Sequence, residues 1–539
     1  MRERSFRFSF SSISLALVTV LTAACDDVES PKSATDVPTD VTTTSSALTA
    51  QQRLTACAQD PRVVTGLATA QICAGAGIFF QETFNGNGRT CGSCHPAQNN
   101  FTIDSRFVGT LPASDPLFVF ERDANLTNVE TDSLRNAGGV LENVDGFEDP
   151  THKFVIRGVP HTMSLATSIT TDPADPNTTT PPEQRTGWGG DGGSLLNFLA
   201  TAIQQHYPKT LQRRPGIDFR TATTQELQLV EQFQLAVGRL NELNFSQVNV
   251  FDAEAQAGKA AYLDPLRGRC QPCHANGGAN FEDTGKNRNF DTGTRRAQNG
   301  AFTVPFFDGV FLFDGGFGGQ GLAHPNVVTL DFMPPNTPLN GFGNNTFNTP
   351  PVIESADTLP GFHTNTFGPF PDAADIENVI SFYATNFFLE SPGAQELDAR
   401  FGAPSNVAPD IERIGRFIRA LNIALNMDMA KQRLRASQTI LNRFHDQNLA
   451  VQRGLIDLAT AEIDDALEVL TAARVAKPFY PVAVDRLNLA KSEIATALAG
   501  ATWVQRQGPL SNAISRVENA RDQIGANITF TLGMGNLFF

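Results

Sequence analysis

Four of the seven cysteines fall in two runs of the form Cys-x-x-Cys-His: Cys91-Gly-Ser-Cys94-His95 and Cys270-Gln-Pro-Cys273-His274. This is the attachment pattern of c-type haem. Two thioethers must reach the two vinyl groups on one edge of a flat macrocycle. The histidine that follows at once can then turn its imidazole under the iron as proximal ligand. A single such run also arises by chance, or as a zinc or dithiol site with a stray histidine. Two of them, in a chain that begins with an export leader, imply two covalently bound haem c groups. Cys25 belongs to that leader. Cys57 and Cys73 remain, either as a disulfide pinning the segment before the first run in an oxidising compartment or as two free buried thiols.

The elements that must hold these residues read as helices joined by long irregular loops, a mainly α chain. Short helical stretches, Ala74 to Thr83 and Ala253 to Leu263, precede the two runs, and almost no segment alternates like a buried strand. Residues 224–242 read as an amphipathic helix joining two cytochrome c-like haem domains, at 51–243 and 244–405. Segments 170–182 and Asp314 to Gly321 read as exposed loops. From about residue 409, Ile411, Ile414, Ile418, Leu421 and Leu425 recur at helical spacing, as do Ile463, Leu467 and Leu470, and Leu487, Ile494 and Leu498. Pro478 and Pro481 are expected to break this run, and Gly508-Pro509 to break it again. The result is a C-terminal helical bundle, 406–539, of three or four antiparallel helices, in which His445, Met427 and Met429 read as packing or surface residues.

The N-terminus is a targeting segment. Arg2, Arg4 and Arg7 precede an apolar run from Ile13 to Leu21, then Thr22-Ala23-Ala24-Cys25, an export signal (1–25) too short to span a bilayer. Cys25 resembles the acylated cysteine of a lipobox, although Thr22 stands where Leu is usual, so a membrane lipid anchor at Cys25 is one expectation. A periplasmic or cell-surface location is another. Residues 26–50, rich in Ser, Thr, Asp and Pro, read as a disordered tether. The formal net charge of −15 disfavours nucleic acid, which needs a basic face, and permits steering of a basic electron-donor protein. Against 41 Phe there are only 4 Tyr and 2 Trp. That scarcity leaves few groups for a strong oxidant to damage, or reflects lineage bias alone.

The two runs, about 180 residues apart, come with further local matches. These are Arg157-Gly158-Val159-Pro160-His161-Thr162, Gly187-Trp188-Gly189-Gly190-Asp191-Gly192, Thr349-Pro350-Pro351 followed by Pro360-Gly361-Phe362-His363, and a helix from Asp375 to Tyr383. In this order they resemble the di-haem cytochrome c peroxidase and MauG superfamily over roughly residues 70–390. The C-terminal bundle lies outside the resemblance.

The resemblance implies a reactive first haem, with His95 as proximal ligand, fed by an electron-transfer second haem. His274 is then the second iron's proximal ligand and His363 its distal ligand, with Met333 the alternative. Trp188 resembles the aromatic between the haems, placed to carry an electron hole. Thr349 lies in the stretch that helps hold a calcium ion. A small redox donor (a cytochrome or cupredoxin) and peroxide or O2 are the implied partners. The family's acid/base carboxylate should follow Trp188 closely, yet after Asp191 none appears before Asp218. Gln204, Gln205 and His206 occupy that neighbourhood, with His206 the candidate proton shuttle. The gap tilts the reading toward di-haem rubber oxygenases, which cleave an apolar alkene polymer. His152, His161 and Met163 are the candidates for a sixth ligand on the first iron, His152 the best placed. A non-catalytic electron carrier and a partner-modifying oxidase are the remaining alternatives.

Overall fold

The computed structural model describes residues 48–126, 130–142, 155–190, 192–296, 306–307, 310–317, 339–341, 343–366, 376–398, 401, 404–472 and 479–538. The leader with Cys25, most of the 26–50 segment, His152, Asp191, Met333, Asp375 and Pro478 lie outside them.

The chain is mainly helical. Helix α1 (Ala50–Cys57) opens on a capping box, in which Thr49 and Gln52 satisfy each other's backbone amides. Helix α2 (Ala70–Gln81) is capped by Thr69 and delivers Ile78 and Phe79 to the core. It starts four residues earlier and ends two residues earlier than the apolar pattern suggested. Cys57 at the end of α1 and Cys73 in α2 form a disulfide. Between Gly139–Glu142 (β1) and Val155–Gly158 (β2) runs an antiparallel ladder, a strand pair that the apolar pattern did not announce. Helix α3 is Leu195–His206 and α4 is Thr224–Gln234. The expected helix over 224–242 stops at Gln234. The chain then turns at Gly238, whose φ of 78° suits glycine, and an added Cβ there would meet the Ser164 backbone at 2.6 Å. Helix α5 (Ala253–Leu263) has the expected bounds, with Asp252 as N-cap.

After α6 (Ile376–Phe382) come four long helices: α7 (Pro404–Phe444), α8 (Leu449–Thr471), α9 (Pro481–Ala499) and α10 (Trp503–Arg521). Pro481 begins α9, where a missing amide costs nothing. Pro509 does not break the chain as expected; it sits inside α10. Leu510, Ala513, Ile514 and Val517 beyond it are all buried, and that packing outweighs one lost helical hydrogen bond. Met427 and Met429 are core residues, and His445 stacks on Trp503 at 4.6 Å.

Two apolar cores meet on α7, whose 41 residues span about 60 Å at the helical rise. One core joins Phe245, Tyr262, Ile353 and Ile380 to residues 414–434 of α7 and to α8, α9 and α10. The other joins α2, α3 and α4 to Ala436 and Ile440 of α7, Leu455 of α8, and Leu537 and Phe538. Ion pairs fasten the same helix: Arg416 with Asp252 at 2.8 Å, Arg419 with Glu377 at 2.8 Å, and Arg433 with Glu462 at 2.6 Å. Asp357 takes Asn422 Nδ2 at 3.0 Å and Asn426 Nδ2 at 2.7 Å, both from α7.

The disulfide closes a loop of 16 residues, so the Cys57→Ser, Cys73→Ser pair should lower the unfolding free energy by about 3 kcal/mol, read by denaturant titration. Unchanged stability would refute that. Burial, despite the two asparagine amides, pushes Asp357 up to about 7. Between the ordinary aspartate range, near about 4, and that value, the folded chain binds more protons than the unfolded one. Its stability therefore falls as pH rises through the window. Asp357→Asn should gain melting temperature relative to the parent between pH 5 and pH 8; a constant difference would contradict the assignment.

Candidate functional site

Both Cys-x-x-Cys-His runs open onto one cavity of about 620 Å³, lined by Cys91, Cys94, His95, Cys270, Cys273 and His274. The first run is a single helical turn, Cys91–Cys94, packed against α2. A Cβ on Gly92 would meet the Phe80 ring at 2.5 Å, which is why a glycine stands between the cysteines. The second run follows α5 after a tight turn in which Cys270 N–H donates to the Tyr262 carbonyl at 3.0 Å.

The four cysteines are not paired with one another. Burial pushes Cys91 and Cys94 up to about 11 and Cys270 and Cys273 up to about 12. Tyr207 donates its hydroxyl to Cys91 Sγ at 3.1 Å.

His95 Nδ1 lies 2.8 Å from the Phe101 carbonyl and His274 Nδ1 lies 3.0 Å from the Pro350 carbonyl. A carbonyl only accepts, so in each ring Nδ1 carries the hydrogen and Nε2 keeps its lone pair. Burial lowers both to about 4, and the carbonyl contacts only partly offset it. Each imidazole is thus neutral and oriented, the condition for an axial ligand.

His363, 1% exposed, lines the same cavity; its Nε2 is buried without a hydrogen-bond partner. Its ring lies 4.1 Å from that of Phe347. Burial lowers it to about 4, with Asp314 acting against that and Arg157 with it. Arg157 grips Asp314 through Nε at 2.6 Å and Nη2 at 2.7 Å, and reaches Glu142 at 3.0 Å. Trp188 also lines the cavity and donates its indole N–H to the Gly158 carbonyl at 2.8 Å. The Gly158 amide in turn donates to the His363 carbonyl at 2.8 Å. One residue, Gly158, thus ties the indole to the backbone of the histidine. Gly158 must be glycine, since a Cβ there would fall 1.9 Å from Asn365 Oδ1.

His206, the last residue of α3, lines the cavity with Nδ1 buried and unpartnered; burial, then Arg89 and Arg213, lower it to about 3. His161 lines it too, also with Nδ1 unpartnered, and burial lowers it. Met163 is buried in the lining. Gln205 reaches the cavity, and Gln204 is not among its lining residues. Asp218 is engaged by Arg214 and lines no part of it. Thr349 Oγ1 donates to the Arg288 carbonyl at 2.9 Å, and the Thr349 carbonyl accepts from Asn287 at 3.2 Å.

Sequence reasoning missed two groups. Glu142, at the end of β1, is the one carboxylate among the described lining residues. It arrives from the strand pair rather than from the helix after Trp188, and no local signal marked it. Arg89 lines the cavity fully buried, paired with Glu130 at 2.7 Å, while its Nε and Nη1 have no partner. An arginine two residues before the first run was the available hint.

These residues fit a haem at each run: an unpaired thiol pair facing the cavity, a histidine beside each pair whose Nδ1 is held by a carbonyl, and unpaired buried donors of Arg89 suited to a propionate carboxylate. In protein isolated with haem attached, His363→Ala should turn the second haem from low spin to high spin and leave the first unchanged in the absorption and magnetic resonance spectra. A change confined to the first haem would show that His363 serves the other iron. Among the described residues no helix is long and apolar enough to cross a membrane. No family model matches the chain, and no curated protein or solved structure matches it.

Proposed function

We propose that this chain is an exported di-haem c-type cytochrome oxidoreductase of peroxidase-like chemistry, in which a reactive first haem is fed by an electron-transfer second haem. The observation that carries the reading is the common cavity. Two Cys-x-x-Cys-His runs open onto it, each with its histidine Nδ1 held by a carbonyl, together with a third histidine whose Nε2 has no protein partner.

Haem, when bound at both runs, would supply the reduction of peroxide or O2 and the transfer of electrons. The chain's residues do the rest. His95 and His274 would each hold one iron, and His363 would be a further ligand to the second. Trp188, fixed through Gly158, offers an oxidisable ring in the same cavity. Arg89 neutralises a propionate. His206, neutral at ordinary pH and with an unpartnered Nδ1 in the cavity wall, would carry the proton there. The lining face of α3, with Leu195, Phe198, Leu199 and Ala202, keeps water away. The disulfide supports an oxidising compartment outside the cytoplasm. The net charge of −15 suits a basic donor protein.

A second reading, an oxygenase cleaving an apolar alkene, is favoured by that α3 face. It brings apolar groups and no carboxylate to the cavity, and Glu142, the one lining carboxylate, is tied up by Arg157.

Expression in a host equipped for haem attachment tests both. The expected protein holds two haems, one of them high spin in the ferric or mixed-valence form, and turns over peroxide with a reduced cytochrome. Oxygen uptake with polyisoprene and no peroxide turnover would select the second reading. His95→Gly should abolish turnover and leave the second haem's spectrum; full turnover in that variant overturns the division of roles.

A further inference from the structure

The C-terminal helices lie outside the segment that resembles di-haem enzymes, yet one of them reaches the first run. His95 depends on the Phe101 carbonyl, at 2.8 Å from Nδ1, for its orientation and basicity. That carbonyl is aimed by two successive residues in the left-handed backbone region, Asn100 at φ 53° and Phe101 at φ 58°. Asparagine tolerates this conformation, whereas a bulky residue such as phenylalanine adopts it only when its surroundings hold it there. Phe101 is held by its buried ring and by its amide, which donates to the Pro96 carbonyl at 2.9 Å. Asn100, 7% exposed, is held from outside the segment. Its Nδ2 donates to Asp465 Oδ2 on α8 at 3.3 Å and to the Asp357 carbonyl at 3.3 Å. His274 has a different support, because its acceptor is the carbonyl of Pro350, whose φ is fixed by the ring.

We propose that Asp465, through its hydrogen bond to Asn100, is a positioning residue for His95, so that the C-terminal helices set the axial ligation of the first haem. The inference rests on the di-haem reading and extends it to a part of the chain for which that reading has no use. Charge is not what the tether needs. The groups facing Asp465 are Asp357, Glu462 with its partner Arg433, and Glu468 with its partner Arg106. Burial and then Asp357 push the Asp465 carboxyl well up. A carboxyl oxygen accepts from Asn100 in either protonation state.

The test uses the full chain with haem attached, and three variants. Asn100→Gly keeps a residue at ease with positive φ and removes the tether. Asp465→Ala removes one of its two acceptors and leaves the Asp357 carbonyl. Asp465→Asn restores an acceptor oxygen without the charge. The readouts are haem content, the iron–histidine stretching band of the reduced protein, and the midpoint potential of each haem. Asn100→Gly and Asp465→Ala should shift the band and the potential of the first haem and leave those of the second. Asp465→Asn should return them toward the parent. If Asp465→Ala fails to fold or to take up haem, Asp465→Leu, which fills the space without an acceptor, is read in its place beside Asn100→Gly. Two attached haems with an unshifted first haem in Asn100→Gly overturn the proposal. So does an Asp465→Asn protein that behaves like Asp465→Ala, because charge and not position would then be acting. A parent protein with fewer than two haems overturns the di-haem reading itself, a different failure visible before any variant is made.

Discussion

A hydrogen bond between a ring nitrogen and a backbone carbonyl organises each end of the cavity. An imidazole can offer a metal only one lone pair, and which nitrogen keeps it is decided by what the other nitrogen meets. At His95 that partner is Phe101, and at His274 it is Pro350. Both carbonyls come from beyond the five-residue runs. The second is 76 residues away, brought back by the packing of the loop that continues to His363. Without these two contacts the rings would lose the partner that decides which nitrogen keeps its lone pair.

Buried charge around the site is handled by pairing between distant segments. Arg157 and Asp314, both nearly fully buried, neutralise each other in a two-pronged contact, and Arg157 holds Asp314 down to about 2 against the burial that would raise it. Ser164 and Arg239 both bond Glu354, at 2.6 and 2.9 Å, and Arg239 also pairs with Glu242 at 2.9 Å. Such groups cost several kcal/mol each if left alone. Their pairing across segments distant in sequence makes the backbone around His363 and Gly158 expensive to deform. Among the buried side-chain atoms without a hydrogen-bond partner, several belong to the cavity wall: His363 Nε2, His206 Nδ1, His161 Nδ1 and two nitrogens of Arg89. A bound group there would supply what the protein does not.

Helix α7 explains why the C-terminal helices are not a separate appendage in packing terms. Its middle is buried with Phe245, Tyr262 and Ile353, and its end with α2 and α4. A helix shared by two cores resists independent motion of either, and it carries Arg416 and Arg419 to the N-cap of α5 and to α6. The elements next to both runs are thereby anchored on one rod.

How much of this was legible depends on the range of the interaction concerned. The two runs were legible because attachment chemistry is confined to five consecutive residues, and α5 because its cap and its apolar spacing lie within the helix itself. The helix over 224–242 was overextended: its apolar pattern continues past Gln234, but the approach of Ser164 to Gly238 forces a turn that no local pattern encodes. Pro509 misled in the other direction, since burial of the residues after it outweighs one missing amide bond. Glu142 was invisible because a strand pair, not a motif, carries it into the cavity. By itself the amino-acid sequence determined which atoms could bond covalently to a macrocycle and which imidazole stands beside each pair, because those are matters of residue type and adjacency. Only the tertiary structure decided which carbonyl each imidazole meets, which distant histidine lacks a partner, and that all of them face one cavity, because such contacts are made by packing between segments far apart along the chain.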